Sequence, residues 1–257
     1  AVEELGMIYL STPFSRAAAD RLEEMGVQAY KIGSGDITWR EIIVKIAKKN
    51  KPVLLATGAS SLEEVKAAVK AILKYNRKLV LMQCNTNYTN SLDNFKYINL
   101  NVLNTYKKIF KDRVILGLSD HTPGSSTVLG AIALGAKVIE KHFTDNNKRK
   151  GPDHKFSMNP ITWGEMVKSS RKLELSLGDG KKKIETNEVQ SAIVQRRGTW
   201  LNKNKNKNDV LSIEDCTFLR PCPKYSISIF NIKRYLGKKL KKNMKKNSLI
   251  TNSCLKY

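Results

Sequence analysis

Three histidines occur among the 257 residues, and two of them end apolar runs. His121 closes VILGLSDHT and His142 closes KVIEKHFTD. Imidazole titrates near neutrality and is the commonest metal ligand among side chains. At the carboxyl ends of adjacent parallel strands, two of them would sit where α/β enzymes place metals and chemistry. The plainer alternative is two unrelated histidines capping ordinary strands. Polar residues also gather where other apolar runs stop: Ser11 and Thr12, then Lys31, Ser34 and Asp36, then Thr57. Further along come Asn85, Thr86, Asn87 and Tyr88, then Ser119, Asp120 and His121, then His142 and Thr144. Any strand must meet a turn, so one polar end is unremarkable. Six in succession, holding a lysine, two imidazoles and carboxylates, point to one pocket ringed by loops.

The elements that would position these groups alternate regularly. Strands are expected at Met7–Ser11, Ala29–Gly33, Pro52–Thr57, Leu79–Cys84, Val114–Ser119 and Lys137–Phe143. Continuous runs of Leu, Ile and Val suit parallel strands buried on both faces. Amphipathic stretches predict helices over Ser15–Met25, Trp39–Lys49, Ser61–Tyr75, Leu100–Phe110, Ser125–Leu134 and Ile161–Leu177. Ser61 with Glu64 has the form of a capping box, and Gly26 and Gly135 close helices before the next strand. Such a βα repeat with right-handed crossovers makes a parallel sheet or a (β/α) barrel. Six units are visible where a closed barrel needs eight. Ala1–Leu5 followed by Gly6 reads as the last turn of a helix, and the chain opens on Ala rather than Met. The expected fold is therefore an α/β (β/α)8 TIM barrel lacking its first two strands. An open six-stranded doubly wound sheet is the alternative.

Composition changes after Gly178. DGKKKIETNE reads as a linker, which divides the chain into a barrel part (1–178), a linker (179–191) and a small β-rich module with a basic tail (192–257). LNKNKNKND within the module reads as a low-complexity loop. Lys and Arg outnumber Asp and Glu by 46 to 23, a formal net charge of +23. Nucleic acid is the obvious partner for such a charge. Here, however, the excess is Lys mixed with Asn (NKNKNKN, KKNMKKN), not Arg interleaved with aromatics. A codon bias explains it more cheaply, so no nucleic-acid partner is expected, although the charge favours anionic substrates. Cys84, Cys216, Cys222 and Cys254 lack paired zinc spacing, which suits a reduced, cytoplasmic chain. No run has the length of a membrane span, so no membrane partner is expected.

Taken together, STPFS (11–15), KIGSGD (31–36), LATGAS (55–60), GLSDHT (117–122), EKHFT (140–144) and GPDHKFSMNP (151–160) resemble the sialic acid synthase family. The tail, with RRGTW, SIEDCTFLRP and LGKKLKKNMKKNSLI, is similar to that family's carboxyl-terminal antifreeze-like (SAF) domain. The resemblance implies an N-acetylneuraminate synthase-type transferase. Such an enzyme condenses phosphoenolpyruvate with an N-acetylated amino sugar of the N-acetylmannosamine type, releases phosphate and forms a nine-carbon sialic-type acid. It further implies that His121 and His142 hold a divalent metal, manganese or magnesium, which polarises the sugar aldehyde. Lys31 matches a phosphate-binding lysine; Thr12, Ser34 and Ser119 match hydroxyl donors to phosphoenolpyruvate. Asp36, Tyr88 and Asp153 match sugar contacts, with Asn85, Thr86 or Asn87 supplying a further polar contact. On their own residues, Asp36 reads as a helix cap, Tyr88 as a half-buried ring and Asp153 as a turn residue. His154 has no matched role. Arg220 matches a lid residue that reaches the partner subunit's barrel, which implies a domain-swapped homodimer.

The chain also departs from the family pattern. Asp36 stands where Glu is frequent, Ala56 where a phosphate-binding Ser is frequent, and PCPKYSIS follows Arg220 where a Gly-rich turn is usual. Two rival readings remain open on the residues: a Schiff-base aldolase using Lys31, and an inactive fragment whose basic tail binds polyanions.

Overall fold

The computed structural model describes residues 2, 4–89 and 91–256. The chain forms two compact units, Ala1–Asp179 and Gly180–Tyr257. The first alternates helix and strand: α1 (Arg16–Glu24), β1 (Tyr30–Ile32), α2 (Arg40–Lys48), β2 (Val53–Ala56), α3 (Leu62–Leu73) and β3 (Leu79–Cys84). It continues through α4 (Val102–Phe110), β4 (Ile115–Asp120), α5 (Ser126–Ala133), β5 (Val138–Lys141) and α6 (Pro160–Leu177).

Local chemistry sets these boundaries. Ser15 Oγ accepts from Ala18 N to open α1. At α3, Ser61 Oγ accepts from Glu64 N and the Glu64 carboxylate accepts from Ser61 N, a reciprocal box. Asn159 caps α6, with Pro160 at its first position where no N–H is needed.

All five strands are parallel and pair in chain order, β1-β2-β3-β4-β5, as a curled half-barrel sheet. The register runs from Tyr30 opposite Val53 at one end to Asp120 opposite Lys141 at the other. β3 is buried at all six positions, as a strand covered on both faces must be. Between sheet and helices, Leu55, Leu81 and Leu118 share a core with Ile42, Ile46, Val69, Ile72 and Leu103.

One expected strand is missing. Met7–Ser11 forms no strand, and among the described residues its link to β1 is a single long bond, Lys31 N to Ser11 O at 3.4 Å. Met7, Ile8, Tyr9 and Leu10 are all exposed, so the run lacks the covering layer that turns an apolar sequence into a buried strand. The parallel sheet therefore has five strands rather than the six read from the sequence. Residues 4–6 form a turn, with Met7 N bonded to Val2 O; Ala1 and Glu3, part of the expected helix tail, lie outside the described residues.

The second unit has its own core of Leu201, Leu211, Ile227, Ile232, Leu240, Met244, Ile250 and Leu255. α7 (Val189–Gln195) begins inside the stretch expected as linker and leads to an antiparallel pair, β6 (Gly198–Leu201) with β7 (Cys216–Leu219). The Lys/Asn run is no free loop: Lys205 bridges to Met244 and Val210 to Lys239, laying the two lysine-rich segments side by side. Asp215, almost wholly buried, pairs with Lys203 at 2.7 Å and Lys205 at 2.9 Å. Among the described residues no helix is long and apolar enough to cross a membrane.

Candidate active site

The carboxyl ends of β1, β4 and β5 carry the polar groups, and the β4–β5 ladder sets their spacing. Ser119 stands opposite Glu140 and Asp120 opposite Lys141. Side chains alternate across a sheet, so Ser119 and His121 share one face with Glu140 and His142. Across the cleft, Lys31 Nζ reaches both Glu140 oxygens at 2.9 and 2.7 Å. Burial opposes ionisation of Glu140, but Lys31 and a hydrogen bond from Ser119 outweigh it and hold the carboxyl below its ordinary range.

Below this pair lies the Cys84 thiol. Burial pushes its pKa up, against hydrogen bonds to Ser34 and Ser119. Ser34 Oγ also accepts from Gly58 N at 2.9 Å. A Cβ at Gly58 would lie 2.6 Å from Thr86 Cγ2 and 3.0 Å from Ser34 Oγ, so only glycine fits there.

The imidazoles of His121 and His142 are 5.1 Å apart between ring centroids. Phe156 and Tyr88 contact both rings and form an aromatic wall. His121 Nδ1 donates to the Asn85 carbonyl at 2.8 Å, which leaves Nε2 with its lone pair. Burial lowers the His121 pKa, the Asn85 bond only partly opposing it, which favours the neutral ring. His142 Nδ1 lies 3.5 Å from the Asp153 carboxylate. An imidazole anchored through one nitrogen by a carbonyl, as His121 is, is a usual setting of a metal ligand. The pair therefore fits a divalent ion. No cluster of three His, Cys, Asp or Glu exists among the described residues, so two protein ligands would leave several positions open.

The remaining expected residues are placed as follows. Asp36 is half-buried in the 3₁₀ turn Ser34–Asp36 beyond β1, and the Thr12 methyl faces Gly33 beside it. Asn85 holds His121 through its backbone and turns its amide to Tyr97 O, while its Oδ1 is buried without a partner. Asn87 is exposed, its carbonyl accepting from Asn94. His154 bonds Thr144 Oγ1 at 2.7 Å and staples its own loop. Arg220 is an exposed residue just after β7, in the second unit. Sequence reasoning missed Glu140, Lys141, Phe156 and Gly58. Period two along EKH could have given Glu140, since residues 140 and 142 must share a face. A separate apolar groove of about 990 Å³ among α2, α3 and α4 includes none of these groups.

A family model described as the NeuB family matches residues 1–182. The chain belongs to this family. It is 36% identical to the N,N'-diacetyllegionaminic acid synthase of Campylobacter jejuni over 96% of its own length and 73% of that protein's. It is also similar to the solved N-acetylneuraminic acid (sialic acid) synthetase of Leptospira borgpetersenii, at 29% identity and a TM-score of 0.67. That match covers 74% of this chain and 65% of that one. A putative spore coat polysaccharide biosynthesis protein E from Chromobacterium violaceum superposes on 99% of this chain and 75% of its own, at a TM-score of 0.80. At 22% identity, that likeness speaks to the fold alone. NeuB membership agrees with the motif resemblance, and three of the six motifs, KIGSGD, GLSDHT and EKHFT, lie at the β1, β4 and β5 ends.

Proposed function

We propose that the protein condenses phosphoenolpyruvate with an N-acetylated amino sugar, forming a nine-carbon sialic-type acid and releasing phosphate. The observation that carries this reading is a cation–carboxylate pair, two buried hydroxyls and two neighbouring imidazoles gathered at the same strand ends. Family membership and the names of the similar synthases support the same reaction class. Those names differ in the sugar acid, so the amino sugar is assigned here only as N-acetylated.

Lys31, with Ser34 and Ser119 as neutral donors, binds the phosphate and carboxylate of phosphoenolpyruvate, and the anion displaces Glu140 from the ammonium. Thr12 is assigned as a further donor to phosphoenolpyruvate, and Asp36, Tyr88 and Asp153 as sugar contacts; Asn85, whose amide is turned to Tyr97, would contact the sugar only after turning. His121 and His142 would hold a divalent ion, manganese or magnesium, which when bound would supply Lewis-acid polarisation of the sugar carbonyl. The C3 carbon of phosphoenolpyruvate bonds to that carbonyl carbon; water adds at C2, and the C2–O bond breaks as phosphate leaves. Glu140, freed from Lys31, accepts a proton as water adds and passes it to the former carbonyl oxygen of the sugar, while the second water proton leaves with the phosphate. The second unit is read as SAF-like, with Arg220 closing the site of a partner subunit in a domain-swapped homodimer.

The alternative of a Schiff base at Lys31 is disfavoured by the ion pair, since that chemistry needs a neutral amine presented to a ketone. The test is phosphate release from phosphoenolpyruvate with Mn(II) present and N-acetylmannosamine or a diacetylated hexose added. Release should depend on the sugar, and an ¹⁸O label in the bridging oxygen should appear in the phosphate. Sugar-independent release, or borohydride trapping of pyruvate on Lys31, would overturn the proposal.

A further inference from the structure

Behind the two histidines, on the opposite face of the same strands, lies a cluster that the reaction does not use. Asp120 and Lys141 form an ion pair at 2.7 Å with side chains 0% and 1% exposed. Asp120 Oδ2 also accepts from Thr127 Oγ1 at 2.6 Å and Thr122 Oγ1 at 2.9 Å, and Oδ1 accepts from Thr122 N at 3.2 Å. Lys141 Nζ donates in addition to the Thr122 carbonyl at 2.5 Å.

We propose that this cluster is a positioning brace that fixes His121 and His142 relative to one another; the proposal rests on reading those two residues as metal ligands. Asp120 opposite Lys141 is the last rung of the β4–β5 ladder, so no rung joins His121 to His142 beyond it. The brace takes over there. Lys141 immediately precedes His142, and its ammonium grips residues 120 and 122, the two neighbours of His121. One cation thus ties both sides of one imidazole-bearing residue to the other strand end. Thr127, in the first turn of α5, adds a third element. Stability alone does not account for such a cluster. Removing two charges from water is costly, and apolar residues of similar volume serve a core at least as well. A fully bonded polar network instead holds one geometry against its neighbours.

The double variant Asp120→Leu with Lys141→Met removes both charges together and leaves neither unpaired. It should fold, with a melting temperature near that of the parent. Its Mn(II) affinity, read from the EPR signal of free aquo-manganese, should fall about 10- to 100-fold, the usual effect of losing outer-shell support. The His121 Nδ1–H resonance, protected by the Asn85 carbonyl, should broaden or exchange away in the metal-free protein. Thr127→Val keeps both charges and should weaken Mn(II) binding severalfold with the fold intact; it decides the matter if the double variant does not fold. Unchanged Mn(II) affinity together with an unchanged His121 resonance in a folded variant overturns the brace. If the parent takes up no Mn(II) but its His121 resonance is lost in the variants, the metal reading fails and the brace stands. No uptake and no change in the resonance rejects both.

Discussion

The cleft depends on a few side chains that have no freedom to be something else. Lys31 is one. Its ammonium makes two bonds to Glu140, the carboxylate that Ser119 also hydrogen-bonds. Lys31→Ala should raise the KM for phosphoenolpyruvate about 10- to 100-fold, the loss of a charge-assisted bond of about 1.5–3 kcal/mol, and change that for the sugar much less. Steady-state kinetics with each substrate varied in turn checks this. Gly58 is the other. A methyl group there must push Thr86 and Ser34 away, so Gly58→Ala should cost about 1–3 kcal/mol by overpacking and weaken phosphoenolpyruvate binding through displaced Ser34. Thermal unfolding and the KM should therefore move together; a stable variant with an unchanged KM refutes the account.

At the scale of elements, hydrophobic period and caps carried most of the fold. β3 lies at Leu79–Cys84 as its unbroken apolar run predicts, and α3 opens at the Ser61 box. Ser61→Ala should lower stability by about 0.5–2 kcal/mol, measured by denaturant unfolding, with catalysis unaffected. Local pattern is silent where the deciding contact is not local. Met7–Ser11 has a strand's composition, but whether a partner covers it is not written in those five residues. Phe156 meets both histidines from far along the chain, and Glu140 looks like one more strand charge until the register sets it opposite Ser119. Of the site, the sequence shows residue types at strand ends; contacts across the cleft, such as Lys31 to Glu140, appear only when the sheet is curled.

For the whole molecule, the second unit holds its own acid sensor. Asp215 is buried between Lys203 and Lys205, which with bonds from Ser212 drive its carboxyl far below the ordinary range despite the opposing cost of burial. A depressed native pKa contributes stability that is complete above the unfolded value of about 3.9 and is lost as the pH falls toward the native one. Asp215→Asn should lower the melting temperature at pH 7 and flatten its decline between about pH 4 and pH 2, followed by calorimetry. Lys203 and Lys205, which hold this carboxylate, lie in the run that composition alone assigned to a low-complexity loop. The proposed lid has its own check. Mixing a His121→Ala chain with an Arg220→Ala chain should restore activity in mixed dimers; mixed dimers as inactive as either parent reject an arginine supplied in trans.

The order of the sheet, each strand beside the one before it, has a consequence for how the chain is made. Tyr30 finds Val53, Val53 finds Leu79, Val80 finds Ile115 and Gly117 finds Val138. Every pairing closes a loop of comparable span, and loop-closure cost grows only slowly with length. No pairing has to wait for a strand made much later. The sheet can accrete on the ribosome, a strand at a time, in the direction of synthesis. The cleft, whose groups come from both the earliest and the latest strands, is then the last thing completed: Lys31 is made long before Glu140, and spends the interval without its partner.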